Sequence, residues 1–203
     1  FSITYLMLDM KGRTGHKPLQ DVRVRRAINH AIDVQSLNRL VGGTVLDLKR
    51  PAALCAMEQR GCGYSLPQPA YDASLARRLL ASAGYADGFD LEIAARPGVG
   101  QTVAEAITGQ LRAVGIRASV NILSFAAYRK YQSDGKLQAL ISGWGGGNIP
   151  DVSATLDFLF TEGSRDYHGN PGWLDLAGAA AGEMDDARRR GIVQKLVDEV
   201  TDQ

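Results

Sequence analysis

Apolar and polar residues recur along this chain with two different periods, and the changes from one period to the other mark out its elements. Ile3–Asp9 is a nearly continuous apolar run that predicts a strand, followed by a Gly/Lys/Pro loop over Lys11–Pro18. Over Asp21–Ala31 the apolar positions Val24, Ile28 and Ala31 or Ile32 fall three or four apart, which places them on one helix face. A second short helix is predicted over Val34–Val41, stopped by Gly42-Gly43. Thr44–Pro69 reads as irregular because Pro51, Gly61, Gly63, Pro67 and Pro69 interrupt any longer element. Asp72 then stands as the N-cap of a helix whose Leu75, Leu79 and Leu80 point inward and whose end is marked by Gly84 in the C′ position.

From there the alternation becomes regular. The pattern predicts a strand over Phe89–Ala95, a helix over Thr102–Val114 closed by Gly115, and a strand over Ile116–Leu123. A helix over Phe125–Gln132 and a strand over Leu137–Ser142 follow. Strands separated by single helices and short turns specify an α/β fold with a mainly parallel sheet flanked by helices. The remainder reads as helical: Ser153–Phe160, Trp173–Ala180 and Glu183–Val200. There is no internal repeat, low-complexity tract or Pro-rich linker, so residues 1–203 are read as one domain.

Composition narrows the function classes. The apolar share of 45% is that of a globular protein able to bury a core, and the net charge is only +1. Arg23, Arg25 and Arg26 form the nearest thing to a basic cluster, and they read as a solvated helix face; no nucleic-acid partner is expected. No apolar run approaches the roughly 18 residues that span a bilayer. The chain opens within a strand-like run without an initiating Met or a basic leader, and its last helical pattern stops uncapped at Gln203. The expectation is a piece of a longer protein, with any targeting signal outside it.

The chemistry-bearing residues are few. Cys55 and Cys62 lie in the irregular segment with six residues between them; they can reach bridging geometry or remain two thiols, and no His stands at metal-liganding spacing beside them. The three histidines are His16, His30 and His168; His30 reads as a surface or half-buried helix residue, and Asp166 and His168 could form an acid–base pair. Such a pair in a polar loop is more often incidental than catalytic. No Gly-x-Ser-x-Gly or His-Glu-x-x-His motif is present. Leu137–Ser142 runs directly into Gly143-Trp-Gly-Gly-Gly-Asn-Ile-Pro-Asp151. This is not a dinucleotide loop: the third glycine of that motif is missing, and Pro150 interrupts the place where its helix begins. At the carboxyl end of a strand in an open α/β sheet, however, glycines let a ligand approach the backbone, and Trp144 offers an apolar wall with one N–H donor. Burying such a ring is worth at most about 4–6 kcal/mol by area. The alternative is that Trp144 is core and the glycines only permit a tight turn.

Taken together, Asp21–Asp33, Tyr71–Tyr85 and Leu140–Asn148, in that order and spacing, resemble the C-terminal lobe of the family 5 extracytoplasmic solute-binding proteins, the peptide, oligopeptide and nickel receptors of ABC importers. The resemblance runs from about Leu6 to Val200 and implies a periplasmic-binding-protein-like (class II) lobe. It further implies capture of a small solute (peptide, opine, sugar or metal chelate) between two lobes and delivery to a membrane permease, with no catalysis and no cofactor. The N-terminal lobe would lie elsewhere in the same protein, in the periplasm or another extracytoplasmic space, and that oxidising location implies a Cys55–Cys62 disulfide. By the same resemblance the solute would be lined by Phe125, Trp144, Gly145, Gly146, Gly147 and Asn148, with Phe125 otherwise the core-facing start of a helix. Tyr167 and Asn170 match a structural or cleft-rim region. Peptide-binding members carry an Asp three residues after the Trp to neutralise a ligand ammonium; this chain has Gly147 there, which argues against free-amine peptides. The rival class is a stand-alone α/β hydrolase or transferase, which would bring a polar cluster together at the strand ends.

Overall fold

The computed structural model describes residues 3–41, 55, 59–62, 66, 69–145 and 149–201. Four strands, β1 (Ile3–Leu8), β2 (Asp90–Ala95), β3 (Arg117–Ile122) and β4 (Ala139–Trp144), form one sheet in the order β1-β4-β2-β3. β2 runs parallel to both β3 and β4, in register Ile93–Ala139 and Asp90–Arg117. β1 is antiparallel to β4, with Ile3 opposite Trp144 and Leu8 opposite Ala139. Helices α1 (Val22–Ala31), α2 (Val34–Val41), α3 (Ala73–Ser82) and α4 (Val99–Ala113) precede or follow β2. α5 (Phe125–Ser133) joins β3 to β4, and α6 (Ser153–Leu159), α7 (Pro171–Gly182) and α8 (Asp186–Thr201) complete the chain.

The period-two alternation of β2 divides the core. Leu91, Ile93 and Ala95 face one layer with Ile141 of β4, Val24 and Ile28 of α1, Leu80 of α3 and Ile107 and Leu111 of α4. Ala94 and Leu140 face the other, against Tyr128 of α5 and Tyr167. The connection from β2 to β3 uses α4 on the first face. The return from β3 across β2 to β4 uses α5 on the second, as expected when crossovers of one hand travel in opposite directions. A third cluster holds Val152, Leu156, Trp173, Val193 and Leu196 with Cys55 and Cys62.

Local signals set the boundaries. Asp21, Asp72 and Ser124 each accept a backbone N–H at the start of α1, α3 and α5. α4 ends where Gly115 takes φ 102° and the N–H of Ile116 bonds back to the carbonyl of Leu111. Gly88, at φ 72°, lies so close to the Gly115 carbonyl that no side chain fits there.

Several sequence boundaries shift. On α3 the fully buried positions are Ala76 and Leu80, while Leu75 and Leu79 are only partly covered, because the helix is rotated by less than one residue from the expected face. α4 begins at Val99, three residues early, and α8 at Asp186, three residues late. β4 spans Ala139–Trp144 where Leu137–Ser142 was expected, since pairing with β1 continues to Ile3. Gly143 and Trp144 are therefore strand residues and not the start of the loop.

Candidate functional site

The carboxyl ends of β2, β3 and β4 lie at the same edge of the sheet, where open α/β sheets bind ligands. Arg96 follows β2, Phe125 opens α5 three residues beyond the end of β3, and Trp144 closes β4. Phe125 is 64% exposed. The Arg96 guanidinium lies 5.5 Å from its ring centre and 5.9 Å from that of Tyr128. The Tyr128 hydroxyl donates to the carbonyl of Ile141 at 2.9 Å, and burial pushes its pKa up to about 12, so it stays a donor at any physiological pH. Burial likewise raises the pKa of Tyr5, whose hydroxyl is hydrogen-bonded to Ser142.

Trp144 is half-buried. Its indole N–H donates to Thr155 Oγ1 at 3.1 Å, and its ring stacks on Phe158 with centroids 4.3 Å apart. The Arg165 guanidinium lies 5.8 Å from the centre of the Phe158 ring. Gly145 is exposed, and a Cβ built there meets nothing within 4 Å, so its backbone is open to approach. Gly146, Gly147 and Asn148 fall outside the described residues. Beyond them, Ile149 is 44% exposed. Thr155, Phe158, Arg96 and Arg165 were not singled out from the sequence; only the helical spacing of Thr155 and Phe158 could have suggested that they share the side of α6 near the strand end.

Cys55 and Cys62 are joined by a disulfide, with Cα atoms 6.0 Å apart and both residues buried. Asp151 accepts two hydrogen bonds from Arg189, at 2.8 and 2.5 Å. Tyr167 is buried and donates to the carbonyl of Gln132, and Asn170 caps α7 by accepting from the N–H of Gly172. Both therefore hold the scaffold.

Asp166 and His168, the residues of the rival, catalytic reading, do meet. Asp166 is 5% exposed and accepts from Lys11 Nζ at 2.7 Å and from the N–H groups of His168 and Gly169. His168 Nε2 lies 3.5 Å from Asp166, and the ring packs between Phe160 and Trp173. Burial lowers its pKa, against the opposing pull of Asp166. His16 bonds to the carbonyl of Asp90 in β2, and His30 to that of Ala70 in the loop before α3. Among the described residues no group of three or more His, Cys, Asp or Glu side chains is placed to hold a metal ion, and no helix is long and apolar enough to cross a membrane.

Comparison with known proteins agrees with this architecture. The chain is 29% identical to heme-binding protein A of Haemophilus influenzae over 144 residues, 66% of this chain and 25% of that protein. It is 29% identical to the dipeptide-binding protein of Escherichia coli over 139 residues, 65% and 25% of the two chains. It thus spans about a quarter of the length of these curated relatives, both of them named as binding proteins. Among solved structures, HbpA2 from Haemophilus parasuis superposes with a TM-score of 0.81 over 98% of this chain and 40% of that one, at 26% identity. The family model for bacterial extracellular solute-binding proteins, family 5 (middle) matches residues 1–166, most of the chain, and the chain belongs to that family.

Proposed function

We propose that this chain is one lobe of an ABC importer's periplasmic solute receptor, and that its site is the face at the carboxyl ends of β2–β4. The whole of residues 1–203 would act as that lobe, closing on a solute against an N-terminal lobe of the same protein before docking to membrane permease subunits. Phe125 and Trp144 serve as apolar walls, and Gly145, Gly146, Gly147 and Asn148 supply backbone and amide hydrogen bonds. The observation that carries this reading is the pairing of an exposed aromatic, Phe125, with an open backbone, Gly145, at one sheet end in a chain of this family. A catalytic role is not part of it: the relatives are binding proteins, and the Asp166–His168 pair is packed inside.

The solute class follows from charge. With Gly147 in place of the acid found in peptide receptors, a free ammonium on the ligand would be desolvated without a counter-charge. Neutral or N-blocked peptide-like solutes fit this face better than free-amine dipeptides; an opine, a sugar or a metal chelate is the other kind of cargo the family would carry. Thermal-shift screening of the two-lobed protein against peptide, opine, sugar and metal-chelate libraries tests the reading. A hit in one class, weakened about tenfold by Trp144→Ala, is expected, since truncating an aromatic that anchors a ligand costs on the order of 1.4 kcal/mol or more. No hit in any class, or a hit indifferent to both Trp144→Ala and Phe125→Ala, would overturn it. Tight, unselective binding of free-amine dipeptides would overturn the charge argument alone.

A further inference from the structure

Arg165 stands beside the aromatic stack at the end of β4 with no anion to neutralise it among the described residues. It is half-buried, and its guanidinium lies 5.8 Å from the centre of the Phe158 ring, the ring that stacks on Trp144. Among the described residues it makes no hydrogen bond or ion pair. The charged side chains next to it are already engaged. Arg13 donates to the carbonyls of Gln132, Ser133 and Ser164, while Asp166 accepts from Lys11 and from the N–H groups of His168 and Gly169. The ring gives a guanidinium partial compensation for lost water, but its N–H donors stay open to an acceptor from outside the fold.

The register of β1 against β4 brings hydroxyls to the same place. Tyr5 stands opposite Ser142 and Ile3 opposite Trp144, so alternation along the strands puts Tyr5, Ser142 and Trp144 on one face of the sheet. The Ser142 side chain is hydrogen-bonded to the hydroxyls of both Tyr5 and Tyr128. Arg165 is close enough to Tyr5 to oppose the upward push of burial on its pKa, yet burial prevails and the phenol stays a protonated donor. A fixed cation, a phenolic O–H and a half-buried indole thus share one stretch of this face, with no carboxylate among them. That combination suits an oxyanion carried on an apolar body: the guanidinium and the O–H donate to the oxygens, and the rings cover the rest.

We propose that Arg165, with the Tyr5 hydroxyl beside it, is an anion-binding point of the solute site, and that the solute carries a carboxylate which pairs there. This rests on the reading of the Trp144 end of β4 as solute-facing, and it narrows the N-blocked, peptide-like class to its acidic members. A guanidinium meets a carboxylate through two parallel N–H···O bonds, a geometry that a lysine ammonium does not reproduce. Closure of an opposing lobe would exclude water from the pair and strengthen it.

The test is calorimetry on the full-length protein carrying this chain, with two pairs of blocked dipeptides that differ by one charge. N-acetyl-Met-Glu is compared with N-acetyl-Met-Gln, and N-acetyl-Glu-Leu with N-acetyl-Gln-Leu. In one pair the acidic member should bind about tenfold more tightly than its amide twin, the ratio expected of a charged hydrogen-bonded pair. Arg165→Met should abolish that ratio and leave the affinity of the amide twin little changed. Tyr5→Phe should lower the ratio about threefold, as loss of a weaker hydrogen bond would, and Arg165→Lys should keep part of it. A purely structural Arg165 would weaken both members equally, and an intact ratio in Arg165→Met overturns the proposal. Equal binding of acidic and amide members by the unaltered protein also overturns it, while leaving the receptor reading standing. If none of the four peptides binds, the acidic-peptide assignment falls; the receptor reading falls with it only if the wider solute screen fails as well.

Discussion

The indole of Trp144 lies against the ring of Phe158, with planes inclined by 21° and centroids 4.3 Å apart. Because the indole N–H is also taken by Thr155 Oγ1, the residue expected to be a free wall is partly held by α6. An offset stack adds about 0.5–1.5 kcal/mol beyond the area it covers, and one net hydrogen bond about 1 kcal/mol. Thr155 is wholly buried, so its hydroxyl and the indole N–H depend on each other. Thr155→Val should therefore cost about 1–2 kcal/mol of stability and leave the indole N–H unpaired. In a Trp173→Phe background, where Trp144 is the only indole, Phe158→Leu should shift the emission to the red as water reaches the ring. Unchanged emission would show that the stack does not persist in solution.

Arg189 presents a second test. Its side chain is almost wholly covered, and its paired hydrogen bonds to Asp151 tie α8 to the residues following the glycine-rich segment. Burial opposes ionisation of Asp151, but the hydrogen bonds from Ser153 and Arg189 outweigh it and hold the carboxyl below its usual range. Removing one partner of such a pair leaves the other charge uncompensated, which costs up to about 3–5 kcal/mol when both are buried. Asp151 keeps 28% of its side-chain surface, so the expected cost of Arg189→Met in chemical denaturation is lower, about 2 kcal/mol. The sign of the pH effect follows from the lowered pKa. The contribution is present above the unfolded value of 3.8 and is lost as pH falls through the lower folded value. The acid limb of the unaltered protein should flatten in Arg189→Met, and a parallel limb would refute the pairing.

How much of this was readable in advance differs by element. Helix starts were legible at Asp21 and Asp72, where a side chain supplies the cap, but not at Asn170, whose cap opens α7 two residues before the expected Trp173; helix ends were legible where a glycine takes positive φ, as at Gly84 and Gly115. The end of β4 was not, because its last two residues are fixed by pairing with β1, more than a hundred residues away along the chain. The same holds at the site. Phe125 and Trp144 stand out by residue type and position, whereas Arg96 and Arg165 gain meaning only from the rings they cover. Gln59 is the extreme case: a lone amide in a Gly/Pro-rich stretch carries no sequence signal, yet it is buried and donates to the carbonyl of Ile149, far along the chain.

His168 yields a prediction in the opposite chemical sense from a stabilised cation. Burial lowers its pKa from 6.5 despite Asp166 nearby, so the folded protein binds this proton less tightly than the unfolded chain does. Stability is full above 6.5 and declines as pH falls from there through the lower folded value. Thermal midpoints of the unaltered protein should drop across that window, and His168→Gln should remove part of the slope while lowering the plateau through lost packing against Phe160 and Trp173. An identical slope in the variant would mean that His168 titrates as it does unfolded.

The strongest quantitative consequence of the proposed function concerns half a site. If the two-lobed receptor binds N-acetyl-Met-Leu at about micromolar, near −8 kcal/mol, a face making half of the contacts retains about −4 kcal/mol, which is millimolar. The geometry gives no reason for more: Phe125 stands 64% exposed, and nothing lies within 4 Å of a Cβ built on Gly145, so this face by itself cannot exclude water from a ligand. Calorimetry on residues 1–203 alone should accordingly detect only millimolar binding, at least about a hundredfold weaker than the intact protein. Sub-micromolar binding by this chain alone would mean that the pocket is complete within it, and the argument for an opposing lobe would fail with that result.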